Sequence, residues 1–454
     1  MQKRVHFIAI GGAAMHNLAI ALHKKGYLVT GSDDEIFEPS KERLKQHGIL
    51  PKQFGWFPKK IDKDLDTVIL GMHARIDNPE LIRSKELGVT IYSYPEFLYE
   101  QTKDKRRIVI GGSHGKTTTT AMVMHVLKDL GYNYDYMVGS HIEGFDTMVK
   151  LSDNTNIAVF EGDEYLSSAI DKRPKFHLYN PHIALITGIA WDHINVFPTF
   201  EIYKKQFEEF IVKIESNGTL IWYRNDDNLK KMVLDCNRDD ITDISYETPE
   251  YVIENDVTRI KVNNKYYQLM IFGEHNLQNM EGAAKICSSI GIESEAFYTS
   301  MQSFEGAARR LQKLEDTGDR IVYYDFAHSP SKLKATVEAV KKQYNKYKVI
   351  ACMELHTFSS LSQEFLIQYK GTMNTADEAV VFFNPETVKH KKLKDISTND
   401  VFNAFDRDSL KVFSDRDMMI EKLMSEKNKK CVFLLMSSGN FSGVDIKELA
   451  KTLV

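Results

Sequence analysis

The sequence predicts an α/β protein of three domains, and three observations carry that reading. Apolar runs of strand length alternate with helical stretches along most of the 454 residues, which is the pattern of parallel sheets with crossover helices. Two of the strands run into glycine turns that lead into helices, at Gly11–Gly12 and at Gly111–Gly112. Length asks for more than one core, since single domains hold about 100–200 residues. The chain is 43% hydrophobic and 27% charged with a net charge of -4. That balance excludes a general nucleic-acid footprint, and no apolar run is long enough to insert in a membrane.

The start "MQKRVHFIAIGG" has basic residues before an apolar run, as a secretory signal does. Gly11 and Gly12 interrupt that run and a helix and second strand follow, so secretion is not expected. Cys236, Cys287, Cys352 and Cys431 are far apart and form no C-x-x-C pair. They suit reduced thiols in a cytoplasmic protein.

The first domain is placed at 1–105. "RVHFIAI" is a buried strand, "AMHNLAIALHKKG" a helix and "YLVTGSD" the next strand. A helix ending near "QHGI", the strand "DTVILG", a helix from "NPELIRSKELG" and the strand "VTIYS" complete it. The second domain is placed at 106–313 and opens with the strand "RRIVIGG" and a threonine-rich helix. "NIAVFEG", "PHIALITGI" and "GTLIWYRND" are further strands, and "TFEIYKKQFEEFIVKI" is a helix. "ISYETPEYVIENDVTRIKVNNKYYQLMIFG" reads as antiparallel strands with a turn at Asn263–Asn264, and "HNLQNMEGAAKICSSIG" returns to helix. The third domain, 314–454, has four apolar strands, "RIVYYDFA", "YKVIACME", "EAVVFFN" and "KCVFLLMSS", with helices between them.

Chemistry gathers at the strand ends. In "IAIGGAAMHNLA" only Gly11 fits a G-x-G-x-x-G register, with Ala9 and Ala14 at the other glycine places. Asp33 ends the second strand, where an acidic residue often meets a ribose. Such a turn offers backbone N–H groups to a diphosphate. A tight turn that merely lets helix pack on strand explains the same residues as well.

The second turn is the stronger signal. Gly112, Gly115, Lys116 and Thr117 follow a strand and open a helix, the context in which backbone N–H groups wrap phosphates, a lysine offsets their charge and a threonine hydroxyl binds Mg²⁺. As a lysine in a solvated cleft, Lys116 is expected to be dispensable for folding. "VFEGDEY" sets Glu161, Asp163 and Glu164 at another strand end, and "GIAWDHINVF" sets Asp192 and His193 at a third. Hard carboxylate oxygens suit Mg²⁺.

The run "GGSHGKTTTT" resembles the phosphate loop of the Mur ligases, the ATP-dependent amide-bond enzymes of cell-wall precursor synthesis. Their G-[TS]-x-G-K-[TS] spacing is met by Gly112, Ser113, His114, Gly115, Lys116 and Thr117. "EGDEY", "WDH", "GEHNLQN", "ARRL" and "DFAHSP" follow in family order and cover essentially the whole chain. The resemblance implies a Rossmann-like UDP-binding domain, a central phosphate-loop ATPase domain with a parallel sheet and a small antiparallel sheet, and a C-terminal Rossmann-like α/β domain.

It also implies roles. Gly112 to Thr118, Asn276, Asn279, Arg310 and Asp325 would bind ATP. Thr117, Glu161 and His193 would serve metal, with Lys116, Glu161 and His193 as the catalytic set. Gly11, Gly12, Ala13, Ala14, Met15, Asp33 and His73 would bind the UDP-sugar, and His356, Ser437 and Ser438 the incoming peptide. The implied cofactors are ATP and Mg²⁺, and the implied substrates are UDP-N-acetylmuramate and a peptide or amino acid.

"VTGSD", "DEYLSSAIDKRPKFHLYNP" and "LLMSSGNFSGV" are similar to the muramate end of the family, and Phe207 stands where later members carry a carbamylated lysine. "ELHTFSS" puts Thr357 and Ser360 at the places of two arginines that suit free alanine. The resulting expectation is a ligase for L-Ala-γ-D-Glu-meso-diaminopimelate, with L-alanine as the alternative amine. Folylpolyglutamate synthase shares the activation chemistry but lacks a nucleotide-binding first domain. A nucleotide-dependent dehydrogenase leaves the phosphate loop and "GEHNLQN" unexplained, and a non-catalytic nucleotide-binding protein is the third rival.

Overall fold

In a computed structural model, the structure describes residues 2–72, 74–168, 170–191, 196–427 and 430–454. The chain forms two compact units, residues 1–247 with 279–300, and residues 248–278 with 301–454.

The first unit holds two sheets. β1 (Arg4–Ile8), β2 (Leu28–Ser32), β3 (Thr67–Leu70) and β4 (Ile91–Ser93) form a parallel sheet in the order β2-β1-β3-β4. β1 ends two residues before the predicted strand does, because Ala9 takes a left-handed φ of 68° and starts the glycine turn. Pairing of Ile8 with Ser32 and with Leu70 brings that turn level with Asp33 and with the segment after β3. The helix Tyr94–Thr102 was not predicted, although Ser93 and Glu96 form the capping box that marks its start.

The second sheet has seven strands. They are β5 (Arg106–Gly111), β6 (Asp135–Met137), β7 (Val149–Lys150), β8 (Ile157–Glu161), β9 (Ile183–Ile186), β10 (Thr219–Tyr223) and β11 (Thr242–Tyr246). Their order is β11-β10-β9-β5-β8-β6-β7, parallel except for β6 against β7. β11 was expected in the antiparallel group; it instead runs parallel beside β10, with Trp222 facing Ser245 in register.

Arg107 on β5 is almost wholly buried and collects the carbonyls of Thr102, Lys103, Lys105, Tyr179 and Asn180. Its last nitrogen pairs with Glu215 at 3.0 Å. The helix Phe200–Val212 packs Phe207 and Phe210 against Phe176, and Tyr203 against Phe207, with ring centroids 4.5–5.4 Å apart. Phe207 is therefore core, at the position where the resemblance places a carbamylated lysine in later members.

The second unit begins with an antiparallel sheet, β12 (Tyr251–Glu254), β13 (Val257–Val262) and β14 (Lys265–Leu269). Asn263 and Asn264 turn β13 into β14 with φ of 48° and 62°, the left-handed pair that a two-residue hairpin needs. The last sheet comprises β15 (Gln312–Asp316), β16 (Arg320–Asp325), β17 (Lys348–Leu355), β18 (Glu378–Phe383), β19 (Lys411–Phe413) and β20 (Cys431–Met436). Its order is β15-β16-β20-β17-β18-β19, parallel except for β15. The four predicted strands are its centre; the short or polar edges β15 and β19 were not predicted. Among the described residues no helix is long and apolar enough to cross a membrane.

Candidate functional site

β5 lies between β8 and β9, and its register sets Ile110 beside Glu161 and Gly111 beside Ile186. The turn after β5 thus emerges between two strand ends that carry polar groups, at the carboxyl edge where ligands meet open α/β sheets. Gly112 has a φ of 128°, and a Cβ there would lie 2.0 Å from the Thr187 hydroxyl. Gly115 has a φ of 82°, and its Cβ would lie 2.1 Å from Oδ1 of Asn279. Both glycines are dictated by backbone shape and by close approach. The helix Lys116–Asp129 starts directly from Gly115 without a side-chain cap, so its first N–H groups face the turn as an anion site would require.

The side chains around this turn form a connected set. The Thr117 hydroxyl donates to Glu161 Oε1 at 2.8 Å, and the Gly139 N–H donates to Oε2 at 2.7 Å. Burial raises the Glu161 carboxyl above its ordinary range, against the pull of that N–H and of Lys116. Lys116 is the main departure from the sequence expectation. Its side chain is 14% exposed, and its ammonium lies 2.6 Å from the fully buried Glu164 and donates to the Gly112 carbonyl at 2.6 Å. Burial disfavours its charge, but Glu164, Asp163 and Glu161 outweigh that and raise its pKa, so it stays protonated. Asp163 pairs with Lys175 at 2.5 Å.

Tyr203, which sequence reasoning did not single out, joins this set. Its hydroxyl lies 2.8 Å from Ser113 Oγ and 3.1 Å from Glu164 Oε1. Glu164 was visible as part of a strand-end cluster; Tyr203 sits in a regular helix and carries no sequence signal. Thr118 is buried beside Thr117 in the first helical turn, and the His114 ring bonds its neighbour's carbonyl, Ser113 O, at 2.7 Å. Asp192 and His193 lie outside the described residues, as does His73. Among the described residues no cluster of three or more His, Cys, Asp or Glu side chains could hold a metal. The Thr117 hydroxyl and Glu161 carboxylate are nonetheless paired hard oxygens, the donor type Mg²⁺ takes with water and phosphate.

At the first glycine turn, Asp33 accepts the Gly11 N–H at 2.7 Å. Burial is the main reason its carboxyl is pushed up to about 6, with Asp34 adding to the effect. Gly12 precedes the helix Ala13–Lys24, which carries Ala13, Ala14 and Met15 in its first turn. Beneath it the Asn17 amide reaches Ala13 O and His16, and its carbonyl accepts the Met148 N–H at 3.0 Å.

In the second unit, β16, β20 and β17 end side by side, with Met436 level with both Asp325 and Met353. Asp325 accepts N–H groups from Leu311 at 2.5 Å and Ala327 at 2.6 Å. Burial raises its carboxyl despite the nearby Arg310, whose guanidinium lies over the Phe326 ring at 4.7 Å. Ser437 donates to the buried Glu354, which also accepts the Phe441 N–H at 2.8 Å and has His356 3.8 Å away. Ser438 follows with its Oγ buried. Thr357 and Ser360 bond each other's backbone, at 3.0 and 3.1 Å. The Asn276 amide nitrogen turns back to Phe272 O at 2.9 Å.

Fold and turn together define a phosphate-loop α/β protein. Residues 4–106 match the Mur ligase family catalytic domain, 110–287 the Mur ligase middle domain and 309–439 the Mur ligase glutamate ligase domain. A UDP-N-acetylmuramate–L-alanine ligase of Caldicellulosiruptor bescii is 32% identical over 84% of this chain and 83% of its own. The chain belongs to the Mur ligase family, whose members are ATP-dependent amide-bond-forming ligases. Two solved structures share the fold. A murein peptide ligase of Psychrobacter arcticus gives a TM-score of 0.65 at 23% identity, covering 99% of this chain and 98% of that one. A UDP-N-acetylmuramate-alanine ligase of Thermotoga maritima gives 0.69 at 20% identity, covering 99% and 98%.

Proposed function

We propose that this chain joins the lactyl carboxylate of UDP-N-acetylmuramate to the amine of L-Ala-γ-D-Glu-meso-diaminopimelate, in the cytoplasmic recycling of wall peptides. The carboxylate takes the γ-phosphoryl group of ATP, giving an acyl phosphate and ADP. The amine then attacks the acyl carbon and expels phosphate. Phosphoryl transfer needs chiefly positioning and charge neutralisation. The N–H groups of Gly112 to Thr118 and the Lys116 ammonium supply these, and Asn276, Asn279, Arg310 and Asp325 serve the adenosine. Thr117 and Glu161 would hold Mg²⁺, with His193 in support; the ion supplies charge stabilisation at the phosphates. Gly11 to Met15, Asp33 and His73 take the UDP-sugar, and His356, Ser437 and Ser438 the peptide.

The observation that carries the choice of amine is at the end of β17. An arginine pair grips one small carboxylate by bidentate hydrogen bonds. Here Thr357 and Ser360 stand in those places and spend their hydroxyls on local backbone groups, which suits a longer chain held at many points. The name of the 32% identical relative favours the second reading, free L-alanine. The deciding experiment is ADP release at equal ATP and UDP-N-acetylmuramate. A kcat/KM preference for tripeptide of about 10²-fold, roughly 2.7 kcal/mol, is expected. Equal rates, or a preference for alanine, would make this an alanine ligase.

A further inference from the structure

Around the phosphate loop the hydrogen bonds converge on Glu164, which accepts from both sides. The Ala190 N–H donates to Ser113 Oγ at 2.8 Å, and the Tyr203 oxygen lies 2.8 Å from the same Oγ; with the Tyr203 proton directed to Glu164, that bond runs from Ser113 to Tyr203. Tyr203 in turn donates to Glu164 Oε1 at 3.1 Å. The other Glu164 oxygen meets the Lys116 ammonium at 2.6 Å, and Lys116 donates to the Gly112 carbonyl at 2.6 Å. The path leaves the loop at Ser113 and re-enters it at Gly112, so it is a closed ring on the loop itself. Tyr203 and Glu164 are both fully buried, so the carboxylate cannot swing into water to release the lysine.

From this geometry we propose that Glu164, oriented by Tyr203, is a positioning residue that stands in for a nucleotide phosphate. It holds Lys116 back across the loop until a phosphate takes its place. The inference rests on the nucleotide reading of the loop. A phosphate oxygen that draws the ammonium toward itself weakens the Lys116–Glu164 pair, and the buried Glu164 charge repels the incoming anion. Neutralising Glu164 removes both penalties.

The test is ADP and adenosine binding by calorimetry, without divalent metal, to the full chain and to Glu164→Gln and Tyr203→Phe. Glu164→Gln keeps an oxygen to accept from Tyr203 and should lower the Kd for ADP about tenfold. Tyr203→Phe keeps the ring against Phe197 and Phe207, loses the orienting hydroxyl, and should lower it about threefold. Adenosine, with no phosphate, should bind all three alike. A purely structural role for Glu164 predicts lower stability with unchanged or weaker ADP binding; that result overturns the inference. So does an equal tightening of adenosine. Should Glu164→Gln not fold, Tyr203→Phe decides alone, and an unchanged or raised Kd for ADP overturns the inference. A wild-type chain that binds no ADP overturns the nucleotide reading itself.

Discussion

Replacing Lys116 by alanine removes the ammonium that lies 2.6 Å from a carboxylate with no solvent exposure, Glu164. The lysine was expected to be dispensable for folding, and the structure reverses that expectation. Removing one partner of a buried pair typically costs about 3–5 kcal/mol, because the remaining charge is stranded. Tyr203 still donates to Glu164, so the lower figure, about 3 kcal/mol, is the one to expect. At about 2–4 °C per kcal/mol for units of this size, melting should fall by roughly 6–12 °C. Catalysis should fall separately by at least about 10²-fold, through lost charge stabilisation at the transferred phosphoryl group. The double variant Lys116→Ala/Glu164→Gln separates the two effects, since it leaves no stranded charge. Its melting temperature should return most of the way to wild type while turnover stays low. Differential scanning fluorimetry and an ADP-release assay on the same preparations measure both. A single variant as stable as wild type, or a double variant no more stable than the single, would refute the reasoning.

Other sites give narrower predictions. Glu161→Gln keeps the Thr117 contact but removes a charge, so the Mg²⁺ titration of turnover should move to higher concentration; an unmoved titration removes Glu161 from the metal site. The Asp33 carboxyl is pushed up from 3.8 to about 6 in the folded chain, so between these values the native state binds more protons than the unfolded one. Its contribution to stability therefore falls as pH rises from about 4 to 6. With Asp33 in its proposed role at the UDP-sugar, that substrate's affinity should run the other way, rising with pH through about 6 as the carboxyl becomes charged. Calorimetric titrations at pH 5 and 7, compared with Asp33→Asn, would show whether that trend belongs to Asp33. Phe207→Ala empties the centre of an aromatic cluster and should cost about 3–5 kcal/mol in denaturant unfolding; a loss under about 1 kcal/mol would mean the cluster is not load-sharing core.

What the sequence made legible follows from range. The phosphate loop was readable because its chemistry fixes residue types within six consecutive positions, Gly112 to Thr117. The central strands of the last sheet were readable because β16, β17, β18 and β20 are buried on both faces and therefore almost continuously apolar. β11, "TDISY", is a half-exposed edge strand, and its alternation is the same whether it pairs parallel or antiparallel. Lys116 looked solvated because its partner Glu164 is 48 positions away and the hydroxyl that orients that partner is further still. The Asn17–Met148 contact spans 131 positions, and nothing local to either residue announces it.

Arg107 has a practical consequence for anyone who cuts this chain into pieces. Three of the carbonyls it gathers belong to Thr102, Lys103 and Lys105, just before β5, and two belong to Tyr179 and Asn180 in the connection that enters β9. A recombinant fragment starting at Arg106 would keep the guanidinium and discard three of its acceptors, exposing a buried cation at a new terminus. A fragment ending at Lys105 would leave those carbonyls dangling. Expression boundaries for an isolated nucleotide-binding piece belong upstream of the helix Tyr94–Thr102, so that the helix travels with the arginine that its last turn holds.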